Sequence, residues 1–265
     1  MNKYITVFKT GFKQEKDAIF DTLMRCIIFF VIMYVMIQLW SFIYGDSGTS
    51  QIINGYSLNS MIWYLLIGEC IINSARTNKI VRGISNEIKT GGITYKLNKP
   101  YNYYLYTISD FVSKSAFLVL FTVPTTIIIG LVFVGVPDGF VWYTIFPCAL
   151  AIIMSIVISW AMYGIVGLLA FWIQDATPLY WVVSKTVMLL GMFFPIEFFP
   201  TWLQPVIKYS PIYSLMSGPA SLVAQFSWEN FGRVIMAQSI WLVVILCLGL
   251  LVFKIGKRRV ASNGG

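Results

Sequence analysis

The chain has 265 residues, of which 58% are hydrophobic and 11% charged. Soluble domains carry about 25% charged residues, so this chain has too little polar surface to cover a water-soluble globule. Its net charge is +8 and it has no histidine, which excludes histidine metal sites, histidine general bases and Ser-His or Cys-His dyads.

Residues 1–23 begin "MNKYITVFKTGFKQEKDAIFD". Apolar Tyr4, Ile5, Phe8, Phe12, Ile19 and Phe20 have lysines between them. That spacing predicts a helix in the cytoplasmic membrane interface, its lysines near anionic headgroups. No short apolar core with a small-residue cleavage site follows, so the segment does not read as a cleavable signal.

Residues 24–265 read as one membrane domain. A helix needs about 20 apolar residues to cross the hydrocarbon core. The first span is expected at 24–44, closed by Gly45, Asp46, Ser47 and Gly48, and the second at 56–75. The third is expected at 111–134, followed by the tight turn "GVPDG". The fourth, 141–172, is long enough to tilt or to project into the cytoplasm. The fifth and sixth are expected at 180–194 and 234–253. Between them, residues 195–219 hold half of the prolines in an aromatic, apolar setting. Proline at this density breaks a spanning helix, so short helical pieces re-entering the outer interface are expected. The predicted fold is an all-α polytopic membrane protein with six transmembrane helices. An N-terminal interfacial helix precedes them, and broken re-entrant helices precede the last span.

Seventeen of the 19 lysines and arginines fall on one side of this layout, and only Lys208 and Arg233 fall on the other. By the positive-inside rule both termini are cytoplasmic. The positive charge is therefore a topology signal, and no nucleic-acid motif accompanies it. Cys26, Cys70, Cys148 and Cys247 lie in apolar runs without a CxxC pair and read as small buried hydrophobes.

Glu69 lies within the second span. An intramembrane carboxylate is costly and faces the bundle interior. It is either a pathway residue that partners a cation or a buried hydrogen-bonding group. Glu197, at the outer mouth, is placed to meet water or a substrate cation, or to cap a helix or pair with Lys208. Asp110 and Asp175 sit near cytoplasmic span ends, where solvated or capping roles are expected.

The longest polar stretch is "ISNEIKTGGITYKLNKPYNYYLY", within the cytoplasmic segment 76–110. Ile80, Ile84, Glu87, Ile88 and Leu97 suggest a short amphipathic helix. Gly91 and Gly92 break it, and Pro100 stiffens the approach to the third span. A helix outside the membrane with one apolar edge docks on something.

This stretch resembles the cytoplasmic segment of ABC type-2 permeases, the membrane subunits of ATP-binding-cassette exporters. Bacterial members carry an I-x-x-E-I-x-x-G-x-I-x-x-x-L-x-x-P run, matched here by Ile84, Glu87, Ile88, Gly91, Ile93, Leu97 and Pro100. The likeness extends over nearly the whole chain, although no large extracellular module is present.

The resemblance implies a multi-pass protein of the bacterial plasma membrane. It also implies a second permease subunit, identical or related, and a pair of separate cytoplasmic ATPase subunits. Residues Ile84, Glu87, Ile88, Gly91, Leu97 and Pro100 would then form the coupling element that fits a groove in the ATPase. The sequence contains no G-x-x-x-x-G-K-[ST] phosphate loop. No cofactor is expected in this chain, and ATP is expected to bind the partner. The implied function is export of an apolar or amphipathic substrate such as a drug, lipid or peptide; Glu69 and Glu197 are the candidate pathway residues read from the sequence itself. An ATP-independent channel or secondary carrier is the alternative. A lipid-modifying enzyme is disfavoured by the lack of histidine and of clustered acids.

Overall fold

A computed structural model describes residues 2–45, 51–99 and 103–263. Pro100, Asp46, Ser47 and Gly48 lie outside these described residues. Among the described residues the chain is helical throughout, apart from turns and one isolated bridge between Ile53 and Tyr56.

Among the described residues four stretches are long and apolar enough to cross a membrane: Ile19–Tyr44, Tyr106–Phe133, Trp142–Ile173 and Trp228–Arg258. They correspond to helices α2 (Ile19–Tyr44), α6 (Tyr103–Phe133), α7 (Ile145–Leu168) with the short α8 (Ala170–Ile173), and α12 (Trp228–Asn263). The protein is thus embedded in a membrane. The outer faces of these helices carry exposed large side chains such as Phe42, Leu120, Ile153 and Val243, as a lipid solvent requires.

Helix α6 starts at Tyr103, eight residues before the expected third span. The extra turns end in Asp110, which pairs with Lys114 at 2.6 Å one turn on. They are also covered by α1 (Asn2–Asp17), which packs along them. Phe12 meets Phe117 edge-on with ring centroids 5.2 Å apart. Gly11 lies so close to Ser113 that a side chain there has no room. The N-terminal helix therefore turns part of its apolar face onto α6, while Ile5 and Phe8 stay exposed.

Helix α3 (Leu58–Ala75) is the centre of the bundle, buried without interruption from Ser60 to Ile71. Its Asn59, Glu69 and Asn73 lower its hydropathy, and α2, α6, α7 and α11 (Gly218–Ala224) enclose it. Ser57 caps its start, accepting a hydrogen bond from the Ser60 N–H at 3.0 Å. Glycine lets the helices approach closely: a Cβ at Gly130 of α6 would collide with the Trp63 ring, and one at Gly68 would press on Met192. Side-chain hydrogen bonds add to this packing. The Trp160 indole N–H donates to the Ala75 carbonyl at 3.2 Å and to Ser115 at 3.1 Å. Buried Gln238 donates to the Ala151 and Ser214 carbonyls. Such bonds contribute on the order of 0.6 kcal/mol each inside a membrane.

Helix α9 (Thr177–Val187) runs on through a π-helical turn at Met188–Met192. Its N-terminus is capped by Asp175, which accepts from the Thr177 N–H at 2.9 Å. The hydroxyl and backbone N–H of Thr177 hold the Asp175 carboxyl below the usual range. The proline-rich stretch then forms short pieces only: a turn at Ile196–Phe198, α10 (Gln204–Tyr209), a π-helical turn at Tyr213–Ser217, and α11. Pro205 and Pro219 stand in the first turns of their helices, where the missing N–H costs nothing. Of the four free cysteines, expected to be buried, only Cys70 is; Cys26 and Cys148 are part-exposed and Cys247 is exposed.

Candidate functional site

Two polar regions lie at opposite ends of the bundle. The first is the lysine-rich end, where α3 gives way to α4 (Thr77–Lys89) and then α5 (Gly92–Leu97). The joint between α3 and α4 is the single residue Arg76, whose φ of 44° lies in the left-handed region. That conformation costs a non-glycine residue roughly 1–2 kcal/mol, and an ion-pair network holds it. The Arg76 guanidinium donates to the Glu15 carboxylate of α1, and to Asp21 of α2 at 2.9 Å. The side chains of Arg76 and Glu15 are 3% and 6% exposed, so this is a buried ion pair. Burial pushes the guanidinium down from its ordinary value, and Glu15 and Asp21 oppose that push. Burial and the neighbouring Arg76 push the Lys79 ammonium down in the same way.

Helix α4 is amphipathic, and its apolar stripe faces its own chain. Ile84 is 2% exposed and lies against Gly167 of α7, together with Val81. Ile88 is half-buried in the same packing. Ser85 accepts a hydrogen bond from the Ala176 N–H at 3.2 Å. Glu87 turns back toward the chain as well: its carboxylate accepts from the Lys96 ammonium of α5 and from the Tyr103 hydroxyl of α6 at 2.9 Å. Gly91, with φ 73°, makes the sharp corner between α4 and α5 that other residues adopt only with strain. Ile93 of α5 is buried, and Leu97 is the last residue of α5. Pro100 is outside the described residues. Ile84, Glu87, Ile88 and Gly91 thus belong to one compact unit whose inner side is bound to α6 and α7. The side left open carries Arg82, Asn86, Lys89, Tyr95 and Lys99. Tyr95 is 70% exposed, and the Lys99 ammonium lies 4.6 Å from its ring centroid.

The second region is a cavity of about 630 Å³ at the end opposite the lysine-rich one. Tyr56, Tyr64, Glu197, Lys208, Tyr213 and Arg233 are among its lining residues. The Tyr64 hydroxyl donates to the Gly191 carbonyl at 2.7 Å, which ties α3 to the π-helical turn after α9. The exposed Glu197 carboxylate lies within electrostatic reach of the Tyr56, Tyr64 and Tyr213 phenols. It makes no ion pair with Lys208.

Glu69 is not part of that cavity. It is 8% exposed and accepts a hydrogen bond from Asn73 at 2.9 Å. Lys185 of α9 lies within its electrostatic reach, with the Lys185 ammonium 5.8 Å from the Trp181 ring centroid. The two expected pathway acids therefore belong to different environments. Sequence reasoning also missed Arg76. It was counted as one topological charge among many, and its partner Glu15 lies 61 residues away.

The described residues thus form a helical bundle with a compact polar unit at one end and a polar cavity at the other. The family profile described as ABC-2 family transporter protein matches residues 30–264, and the chain belongs to that family. A search of curated proteins gave no match.

Proposed function

We propose that the chain is the permease subunit of an ABC exporter in a bacterial plasma membrane. In this reading α3, and α9 with its π-helical turn, complete six spans, and both termini face the cytoplasm. Two permease subunits work with two separate ATPase subunits that bind and hydrolyse ATP, and an apolar or amphipathic substrate is moved outward. The observation that carries the reading is the α4–α5 unit. It is fixed to the membrane helices on its inner side and presents Tyr95, Lys89 and Lys99 on the other.

The physical route is short. Closure of the ATPase pair displaces the α4–α5 unit as a rigid body. Ile84 against Gly167 passes the motion to α7, Glu87 against Tyr103 passes it to α6, and Arg76 passes it to α1 and α2. Ile84 and Glu87 act as transmitting residues, and Tyr95 and its neighbours form the contact with the ATPase. A second permease copy is supported by exposed Lys185 on α9. An ammonium on a spanning helix is costly where it meets lipid, and a partner or a water-filled path between two copies removes that cost.

The test is co-expression with the neighbouring ATPase and purification of the permease. Tyr95→Ala with Lys89→Glu is expected to lose most of the co-purifying ATPase. Glu87→Ala is expected to retain the ATPase and lose substrate-stimulated hydrolysis. ATPase recovery and stimulation unchanged in both variants would sink the assignment.

A further inference from the structure

The polar cavity has an apolar space next to it. Phe226 lines it and also lines a second, apolar groove of about 390 Å³. The groove lies between α3, α6, α7 and α11. It runs along α6 from Leu131 to Val123, about 12 Å at 1.5 Å per residue. Ile127, Leu131 and Ile145 on its walls are exposed at the surface of helices that cross the membrane, so the groove communicates with the lipid tails. Asp138 at its rim is already engaged by Ser57 and Ser60 and calls for no further partner.

The charges of the cavity are of both signs and are not matched to each other. Neither Glu197 nor Lys208 has an ion pair among the described residues, and Arg233 pairs only with exposed Glu229 at 3.3 Å. A carboxylate backed by three phenols suits an ammonium group, which gains from the aromatic faces as well as from the charge. Lys208 and Arg233 suit a phosphate. A ligand with both groups and one long apolar chain matches the whole feature.

We propose that the cavity and groove together form a binding site for a zwitterionic amphiphile. Its ammonium lies between Glu197 and the tyrosines, its phosphate lies toward Lys208 and Arg233, and its acyl chain passes Phe226 into the groove. This deepens the exporter reading and rests on it for the word substrate, but binding itself needs no ATPase.

The experiment uses the full chain purified in a nonionic detergent, with tryptophan fluorescence as the signal, because Trp63 lines the groove. The probe is lysophosphatidylethanolamine with a brominated chain, which quenches indoles it touches. Saturable quenching is expected, with affinity about tenfold tighter than for the brominated lysophosphatidylglycerol or a brominated alkyltrimethylammonium. Glu197→Gln is expected to remove most of the tenfold preference over the phosphatidylglycerol probe, and Lys208→Ala most of that over the ammonium probe. Ala149→Phe, at an exposed groove position, is expected to abolish the saturable component. An unchanged unfolding temperature in these variants shows that they remain folded. Equal binding of all three probes, or an unaltered preference in Glu197→Gln, would overturn the proposal. ATPase capture that still depends on Tyr95 would then leave the permease reading standing.

Discussion

The two ends of the bundle treat charge in opposite ways. At the lysine-rich end Arg76, Glu15, Asp21 and Lys79 form one network, and Glu87 is shared between α5 and α6. At the other end Glu197 and Lys208 face the same cavity without pairing. Closed ion pairs fix geometry, because each partner removed leaves a buried charge uncompensated. Unmatched charges around a cavity leave the geometry open and favour a ligand that supplies the missing partners. In the proposed reading the lysine-rich end acts as a mechanical joint, and the opposite end as a receptor.

Four substitutions, with Glu197→Gln as a reference for the third, probe that contrast, from the largest expected effect to the smallest. Arg76→Ala leaves buried Glu15 with only the half-exposed Lys79 ammonium, 4.0 Å away, and is expected to cost about 3 kcal/mol. Thermal unfolding of the purified protein measures it, and a loss below about 1 kcal/mol would mean the joint is held by packing alone. Ile84→Ala opens a cavity against Gly167 and is expected to cost about 2–4 kcal/mol. If stability were unchanged and only ATPase capture fell, Ile84 would be a contact residue after all. Tyr64→Phe removes the hydrogen bond to Gly191 and is expected to cost about 1 kcal/mol. A similar loss of thermal stability after Glu197→Gln would show that the cavity charge is structural. Tyr95→Ala is expected to change stability by less than about 0.5 kcal/mol while weakening ATPase capture. A large drop in unfolding temperature would place Tyr95 in the folded unit instead.

The long apolar helices were legible because length and hydropathy are local properties. So were the proline breaks, and the helix–glycine–helix form of the polar segment. The surface that covers a helix is not local. The stripe of Ile80, Ile84 and Ile88 announced a docking face, but the sequence says nothing about whether the dock is a partner or the chain's own α7. In the structure Gly167 makes room for Ile84 on α7, and a glycine in an apolar helix carries no label for its neighbour. Arg76 and Glu15 illustrate the same limit for charge, since an ion pair spanning 61 residues leaves no periodicity. The cavity was half visible: Glu197 stood out, whereas Tyr56, Tyr64 and Tyr213 were indistinguishable from interfacial aromatics.

Helix α6 connects the two ends without a break. Its first residue, Tyr103, bonds Glu87, and the turn after its last residue, Phe133, leads to Asp138 at the rim of the groove. Thirty-one residues make a rod of about 46 Å. Pro124 lies within it, where the lost backbone bond softens the rod to bending. Thr122, Thr125 and Thr126 around it return their hydroxyls to carbonyls one turn earlier. A tilt of about 5° at the Tyr103 end, carried along the full length, displaces the far end by about 4 Å. On the proposed mechanism, small rotations of the lysine-rich joint become ångström-scale changes in the width of the groove, with the proline setting where along the rod the gearing is lost.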